Sequence, residues 1–263
     1  MPRVETVLQG SLLGSNQGGI AFCAVTLVEG TDAAGQPRRI LVDTGSSGRV
    51  GALGDALARR GLSPADIDAV VFTHAHWDHI QILDPFAHAP FHMHPAELDY
   101  IKNPHAGDHA TPRWTKAVLD RYDVREVTGG TELMSGVSIV EAPGHSAGTI
   151  AVAVETDSGI AVVTGDSIQS AEVARQGRNA LVFWNEEEAN RSVRRLVELA
   201  DVIHPGHDLS FRISASGAVE YTDQLDLTIT GIAAGTPGLS LLPPSPFQPT
   251  ISVPADAGPG ADN

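Results

Sequence analysis

The sequence predicts an α/β fold in one compact domain, and three of its features support this prediction. Apolar runs rich in Val and Ile alternate with turns and with amphipathic stretches, which is typical of short, largely buried strands mixed with helices. Two of these runs are separated only by the turn residues Thr156, Asp157 and Ser158, which predicts a hairpin. A chain of 263 residues with 42% hydrophobic content can bury a substantial core, so we expect one compact domain plus a tail.

Six strands are predicted from the apolar runs. They span Gly19–Leu27, Arg39–Val42, Ala69–Phe72, Gly136–Glu141, Thr149–Glu155 and Gly159–Val163. The last two form the predicted hairpin, and Asp166 follows the second of them almost at once. The segment from Phe91 to His94 also alternates in the manner of a strand.

Helix predictions rest on capping residues and on the placement of charge. The stretch Asn185–Ala200 carries glutamates early and arginines later, as the helix dipole favours. Ser63 followed by Pro64 predicts the start of a short helix. Spacing alone predicts three further helices, at Gly54–Arg60, Pro95–Ile101 and Pro112–Arg121.

The composition and charge of the chain limit the classes of molecule that it is expected to bind. A net charge of -15 and a pI near 5.0 oppose binding to phosphate backbones, so a nucleic-acid substrate is not expected. The chain shows neither a signal-peptide pattern nor a run of about 18 apolar residues, which predicts a cytoplasmic protein without a membrane span. The single cysteine, Cys23, cannot form an internal disulfide and is expected in the core.

The end of the chain differs in composition from the rest. From about residue 233 it is rich in Gly, Pro, Ser and Ala, which predicts an extended or disordered tail over residues 233–263. Apolar side chains within it leave open that the tail runs over the domain surface or over the neighbouring subunit of a homodimer: Leu239, Leu241, Leu242 and Phe247.

The segment from Thr73 to His79 holds four potential metal ligands in six residues. It follows the predicted strand Ala69–Phe72, and a loop at a strand end that is dense in imidazoles and carboxylate is what a metal site requires. Alternate residues of an extended strand end, His74 and His76, point to one side, while the following turn redirects Asp78 and His79. Two adjacent metal positions are therefore predicted.

One loop cannot saturate two metal ions, so further ligands are expected at other strand ends. His145 lies in a Gly-containing turn, Asp166 ends the next strand, and His207 follows an apolar pair and a glycine. Each of these residues alone is an ordinary loop residue. Together with the first motif, each becomes a candidate ligand.

In these motifs the sequence resembles the metallo-β-lactamase superfamily, whose pattern is H-x-H-x-D-H, then G-H, then D, then G-H. The resemblance covers about residues 20 to 212 and implies an αββα sandwich of two mixed sheets, with residues 1–232 as the catalytic domain. It also implies that Asp43 supports the site from beneath. The implied ligands are His74, His76 and His145 for one metal, Asp78, His79 and His207 for the second, and Asp166 as the bridge.

The implied chemistry is hydrolysis by attack of a hydroxide that bridges two divalent cations. Asp78 and Asp166 are the predicted catalytic carboxylates, and Asp78 also steers the proton. Zinc is the expected metal, while imidazole and carboxylate ligands also accept manganese, iron or cobalt. His76 stands where flavodiiron oxygen reductases of this fold have a carboxylate, which favours hydrolysis over redox chemistry.

Within the superfamily, the chain looks most similar to the acyl-homoserine lactonase-like branch. The similarity lies in Trp77 within the first motif and in the segments Ser63–Asp68 and Pro95–Leu98. A lactone or a related ester is therefore the predicted substrate. One departure is Gln169, because those lactonases carry a tyrosine three residues after the bridging aspartate.

Several alternatives stay open at this stage. A thioester hydrolase, similar to glyoxalase II or to biosynthetic thioesterases, would use the same metals with a different pocket. A persulfide dioxygenase shares the fold but uses one iron, and the intact set of Asp78, His79 and His207 counts against it. A metal-storing or purely structural protein is the non-enzymatic alternative, and the acidic charge counts against a nuclease.

The substrate pocket is expected to be built largely from the insert between His79 and His145, since loops at strand ends shape substrate choice. The candidate pocket residues are Trp77, Tyr100, Trp114, Gln169 and Trp184, with Phe86 and Phe183 as further aromatic candidates. Five histidines of the insert are expected to face solvent or a neighbour, with an extra ligand or acid among them as the alternative: His88, His92, His94, His105 and His109.

Overall fold

Two mixed β-sheets stack face to face, and helices cover the outer face of each. The computed structural model describes residues 1–15, 18–179 and 181–228, together with Thr236 and Ser240. The helix–sheet–sheet–helix layering confirms the predicted αββα sandwich. The predicted tail lies outside the described residues, apart from Thr236 and Ser240, which are exposed.

The elements of the described ranges are named in chain order. The strands are β1 (Arg3–Leu8), β2 (Ser11–Ser15), β3 (Gly18–Phe22), β4 (Val25–Thr31), β5 (Pro37–Val42), β6 (Ala69–Val71), β7 (Phe91–Met93), β8 (Val124–Glu126), β9 (Glu132–Met134), β10 (Val137–Glu141), β11 (Ile150–Thr156), β12 (Gly159–Gly165), β13 (Val202–Pro205), β14 (Phe211–Ile213) and β15 (Val219–Tyr221). The helices are α1 (Val50–Ala58), α2 (Trp77–Ile80), α3 (Pro95–Tyr100), α4 (Thr115–Leu119), α5 (Ala171–Gln176) and α6 (Glu186–Leu199).

The two sheets each contain a parallel and an antiparallel part. The first has the order β1-β4-β5-β6-β7-β8, in which β5 to β8 are parallel. The second has the order β15-β14-β13-β12-β11-β10-β9, in which β12 and β13 are parallel. β2 and β3 form a separate hairpin. β11 and β12 pair as the predicted hairpin, with Thr156 opposite Gly159.

Successive residues of the central strands point alternately into the core between the two sheets and into a core between one sheet and its outer helices. In β5, Ile40 and Val42 join the core between the two sheets, whereas Leu41 packs with Leu53 of α1 on the outer side. β12 alternates in the same way, with Val162 facing the helices of the other outer layer. This alternation follows from the two-residue period of a strand, and it explains why strands covered on both faces are apolar throughout.

The predicted strand Gly19–Leu27 is wrong as a single element. β3 ends at Phe22 and β4 begins at Val25, so the chain leaves both sheets at Cys23 and Ala24. Here the N–H of Ala24 donates to the carbonyl of Gly206 at 2.6 Å, which takes the backbone out of a strand ladder. Cys23 is fully buried, as predicted.

The helix predictions succeed where caps are visible in the sequence. Asn185 accepts a hydrogen bond from the N–H of Glu188 at 3.0 Å and starts α6 where predicted. Ser63 forms a capping box with Asp66, but only one 3-10 turn follows it, so the short helix predicted there is a single turn. The helix predicted at Gly54–Arg60 begins four residues earlier, as α1. Within the described ranges, none of the helices has both the length and the apolar composition that crossing a bilayer would need.

Candidate metal centre

Seven buried side chains from four segments of the chain meet beyond the carboxyl ends of β6, β10, β12 and β13, and two of them lie on the short helix α2. Each is at most 5% exposed. β6 ends at Val71, so His74 and His76 lie in the loop beyond the strand rather than on its end. The seven are the ones predicted from the motifs: His74, His76, Asp78, His79, His145, Asp166 and His207.

The first cluster consists of His74, His76 and His145 together with Asp166. Their potential ligand atoms lie within 4.8 Å of one another. His76 Nδ1 is 3.0 Å from His145 Nε2, and Asp166 Oδ2 is 3.5 Å from His145 Nε2 and 4.0 Å from His74 Nε2. Three imidazoles and one carboxylate oxygen therefore surround one small volume.

The second cluster consists of Asp78, His79 and His207. Asp78 Oδ2 lies 3.4 Å from His207 Nε2 and 3.8 Å from His79 Nε2. The other oxygen of Asp166 faces this cluster, because Oδ1 is 3.2 Å from His207 Nε2 and 3.3 Å from His79 Nε2. Asp166 thus presents one oxygen to each cluster.

Gly206 makes room for this placement of Asp166. A Cβ atom at Gly206 would lie 2.3 Å from Asp166 Oδ1, which is closer than real side chains approach. The glycine before His207 is therefore required by the carboxylate that the two clusters share.

Four of the five clustered histidines turn Nδ1 outward, toward an oxygen. The partners are the hydroxyl of Thr73 for His74 at 3.0 Å, the carboxylate of Asp43 for His79 at 2.7 Å, the carbonyl of Leu181 for His145 at 2.6 Å and the carbonyl of Phe22 for His207 at 3.1 Å. Carbonyl and carboxylate oxygens only accept, and the Thr73 hydroxyl donates its own proton to Asp43, so Nδ1 carries the proton in all four rings. The lone pair of Nε2 then points into the cluster.

Polar atoms without a hydrogen-bond partner face the interior of both clusters. They include His74 Nε2, His79 Nε2 and Asp166 Oδ1. Leaving buried polar atoms unpaired is costly, and lone pairs at 3.0 Å, as between His76 and His145, repel unless a positive charge lies near them. The donor set of imidazole nitrogens and carboxylate oxygens fits divalent cations.

Burial and the neighbouring charges set the protonation of the first cluster. Burial lowers the pKa of His74 well below its usual value, and the imidazole of His79 lowers it further. Burial also lowers the pKa of His145 to about 4. Burial alone would raise the pKa of Asp166, but His207 and His79 attract its charge and hold the pKa well below its usual value. At His76, in contrast, burial is outweighed by Asp108, which raises the pKa. The neutral imidazoles of His74 and His145 and the ionised carboxylate of Asp166 are forms that bind metal.

The second cluster attracts positive charge. Burial alone would lower the pKa of His207, but Asp166 and Asp78 raise it. The same opposition holds for His79, whose pKa is raised well above its usual value by the acidic groups of Cys23 and Asp78. A cluster that stabilises a proton in this way stabilises a divalent cation for the same electrostatic reason.

Residues 18–207 match the family model described as the metallo-beta-lactamase superfamily. The matched range includes all seven clustered side chains. The chain belongs to the metallo-β-lactamase superfamily.

Relatives and solved structures agree with this assignment. Metallo-beta-lactamase domain-containing protein 1 of Xenopus laevis is 30% identical over 218 residues, covering 81% of this chain and 83% of the relative. The N-acyl homoserine lactonase of Bacillus cereus is 27% identical over 188 residues, covering 70% of each chain. A crystal structure of the Bacillus thuringiensis lactonase AiiA is similar with a TM-score of 0.60 at 21% identity, covering 79% of this chain and 92% of that one. At that identity the likeness shows the shared fold.

In this superfamily member, Asp43 lies directly behind the metal centre. It follows β5 in the left-handed region, at φ 59, which a short polar residue tolerates. Oδ1 accepts from the N–H of Thr73 at 2.8 Å, and Oδ2 accepts from the Thr73 hydroxyl at 2.8 Å and faces His79 Nδ1. Asp43 therefore fixes both the start of the first ligand loop and the ring of His79.

The group behind His76 was not predicted from the sequence. Asp108 Oδ1 lies 3.4 Å from His76 Nε2, and Asp108 Oδ2 accepts hydrogen bonds from Tyr100 at 2.8 Å and from the Thr111 hydroxyl at 2.7 Å. Burial would raise the pKa of Asp108, but its hydrogen bonds and the charge of His76 lower it well below its usual range. His76 is thereby oriented with Nδ1 toward the cluster. Nothing in the local sequence around Asp108 marks this long-range contact.

The aromatic pocket candidates of this superfamily member fall in different environments. Phe183 is buried, and its ring centroid is 5.0 Å from that of His76 and 5.6 Å from that of His145, so it walls the first cluster. Tyr100 is also buried, and its ring contacts Trp184 edge to face. Trp77 and Trp184 are partly exposed, and Phe86 lies in the core. Trp114 is 48% exposed beside a cavity of about 210 Å³.

Gln169, the remaining pocket candidate, is buried. Its Nε2 donates to Asn179 Oδ1 at 3.0 Å, while Oε1 has no hydrogen-bond partner in the described part of the chain. Asn179 in turn donates to the carbonyls of Asp166 and Ser167. Gln169 thus belongs to the network that shapes the loop after β12.

The other histidines lie apart from the two clusters. His204 is buried with Nδ1 2.9 Å from the Ser210 hydroxyl and 3.1 Å from the Thr6 hydroxyl. Among the described residues, the five histidines of the insert join no group of potential metal ligands. His94, for example, contacts Glu141 at 3.2 Å and caps α3.

Proposed function

We propose that this chain is a dinuclear metal-dependent hydrolase that opens a lactone or cleaves a related ester. The observation that carries the proposal is Asp166, which turns one carboxylate oxygen to each of two ligand clusters. A carboxylate in that position would offer one oxygen to each of two cations. His74, His76 and His145 would hold the first cation, and the second cluster would hold the other.

Two such cations, when bound, acidify a water to near neutrality and polarise the carbonyl of the substrate. The chain's own groups orient these events. Asp78 would hold the second cation through Oδ2, which faces His207 and His79, and this would leave Oδ1 free to take the proton. Phe183, packed on His76 and His145, excludes water from the side of the first cluster.

Two findings support the ester class and the metal. N-acyl homoserine lactonases are among the relatives, and the lactonase AidC, described as a dizinc enzyme, shares the fold with a TM-score of 0.59 at 19% identity. Zinc is the proposed metal because imidazole and carboxylate ligands without thiolate suit it. A net charge of -15 supports a small-molecule substrate rather than nucleic acid.

The test is a panel of lactones, thioesters and β-lactams offered to the metal-loaded full chain and to the same protein after chelation. We expect lactone or ester hydrolysis that chelation abolishes and zinc restores. Hydrolysis of thioesters alone would replace the ester assignment by the thioesterase alternative. Purified protein that takes up no metal would end the proposal.

A further inference from the structure

Glu97 is a fully buried carboxylate that belongs to neither ligand cluster. It lies on α3, and its two oxygens reach two different loops. Oε1 accepts from the N–H of Ala75 at 2.9 Å, and Oε2 accepts from the N–H of Gly148 at 2.9 Å and from the hydroxyl of Ser146 at 2.7 Å. One side chain therefore joins two segments that are about seventy residues apart in the sequence.

Both joined segments carry ligands of the first cluster. Ala75 stands between His74 and His76, and Ser146 directly follows His145. His76 Nδ1 and His145 Nε2 face each other at 3.0 Å. The distance between these two nitrogens is thus set by two segments that both form hydrogen bonds with Glu97.

The contacts favour the ionised carboxylate, although burial raises the pKa of Glu97. Each oxygen accepts from a backbone N–H, a group that can only donate, and the Ser146 hydroxyl adds a third contact at Oε2. A carboxamide of the same shape has one accepting atom and would turn its NH₂ toward one of the two loops. α3 also packs tightly here, since a Cβ atom at Gly148 would lie 2.2 Å from the backbone nitrogen of Glu97.

The same helix supports His76 by a second route. Tyr100, three residues after Glu97, donates its hydroxyl proton to Asp108 at 2.8 Å, and Asp108 faces His76 Nε2 at 3.4 Å. α3 therefore acts on the backbone of the first ligand loop through Glu97 and on a ligand ring through Tyr100.

We propose that Glu97 is a positioning residue that clamps the two ligand segments at the separation the first cation requires. This inference rests on the proposed metal centre. It assigns Glu97 no contact with substrate, and it predicts an effect on one cation and not on the other.

The test compares Glu97→Gln with the wild type as full-length protein, stripped by a chelator and titrated with zinc against a chromogenic competitor. We expect two bound cations in the wild type. In the variant one affinity should fall roughly 10- to 100-fold while the other is kept, which is the scale for groups that orient ligands. Cobalt loading then identifies the weakened position, because the visible spectrum of the variant should match that of His145→Ala rather than that of His207→Ala.

A matched control is Asp201→Asn. Asp201 also accepts a backbone N–H, from Ile160 at 2.8 Å, but at the start of β12 rather than at its metal-site end. It should bind both cations as the wild type does. Ser146→Ala removes one of the three hydrogen bonds and keeps the charge of Glu97, so it should weaken the same position by a smaller factor.

The outcomes separate this inference from the proposed function. Two wild-type affinities in Glu97→Gln overturn the clamp, as does an equal loss at both positions. Should Glu97→Gln not give the circular dichroism of the folded metal-free protein, Ser146→Ala decides, and unchanged affinities there overturn the clamp. A wild type that binds no metal ends both proposals, whereas two bound cations without hydrolysis leave the role of Glu97 standing.

Discussion

The two clusters use the same kinds of ligand but are supported by different parts of the molecule. Behind the first cluster stand the Thr73 hydroxyl, Asp108 and the Leu181 carbonyl, and the last two lie on long loops. Behind the second stand Asp43, which directly follows β5, and the carbonyl of Phe22 at the end of β3. The groups behind the second cluster therefore lie at strand ends, whereas two of the three behind the first lie on loops.

This difference explains where extra support is needed. Strand ends are fixed by the ladder of the sheet, so a residue placed there needs little more to keep its orientation. Loops lack that ladder, so ligands carried by them depend more on contacts of the kind that Glu97 and Asp108 make. We expect substitutions to separate the two clusters accordingly.

The largest effect is expected where the clusters share a residue. Asp166→Ala removes the carboxylate that faces both, so at least one cation and nearly all hydrolysis should be lost. Metal content by mass spectrometry of the intact protein, with Asp201→Asn as control, measures this. Unchanged content of two metals would contradict the bridging assignment.

Loss of a single candidate ligand should remove the cation of only one cluster. His207→Ala should remove the second cation and most activity, because its Nε2 faces Asp78 and Asp166. His204→Ala should keep both cations, since that ring contacts hydroxyl groups instead. Equal losses of activity and of metal in the two variants would argue against the assignment of His207.

A smaller and selective effect is expected behind the second cluster. Asp43→Asn should weaken the binding of the second cation by roughly 10- to 100-fold, because His79 loses its carboxylate partner. The first cation should be affected less, through the loosened hydroxyl of Thr73. Competition titration measures both affinities. If the first cation were the weaker one in this variant, the division of support between the clusters would be wrong.

The smallest effect concerns pH and lies outside both clusters. Burial lowers the pKa of His204 from 6.5 to about 4, so the unfolded chain binds a proton there that the folded chain does not. Stability should therefore fall as the pH drops from about 6.5 to 4, and His204→Gln should remove part of that slope. Urea unfolding of wild type and variant over this range measures the difference. Parallel plots of unfolding free energy against pH for the two proteins would show that His204 does not contribute to this pH dependence.

The clustered side chains could be predicted from the sequence because the chemistry is local at each strand end. Four candidate ligands lie within one short motif, and His145 and His207 each follow a glycine that the fold needs. The layer architecture followed from the family pattern, and the period of the apolar runs located most of the central strands.

The supporting groups could not be found in that way. Glu97 and Asp108 act on loops that are distant in sequence, and neither carries a local signal beyond an ordinary helix or turn residue. The break between β3 and β4 was missed for the same reason. Its cause is the contact of Ala24 with Gly206, which joins opposite ends of the chain.

That contact has a consequence for any shortened form of the protein. The carbonyl of Phe22 orients the ring of His207, and the N–H of Ala24 binds the carbonyl of Gly206, the residue before His207. The segment before β4 therefore supports the candidate site, although it supplies none of its seven side chains. A protein cleaved or recloned without its first 24 residues would retain all seven candidate metal ligands and still lose the contacts that align His207.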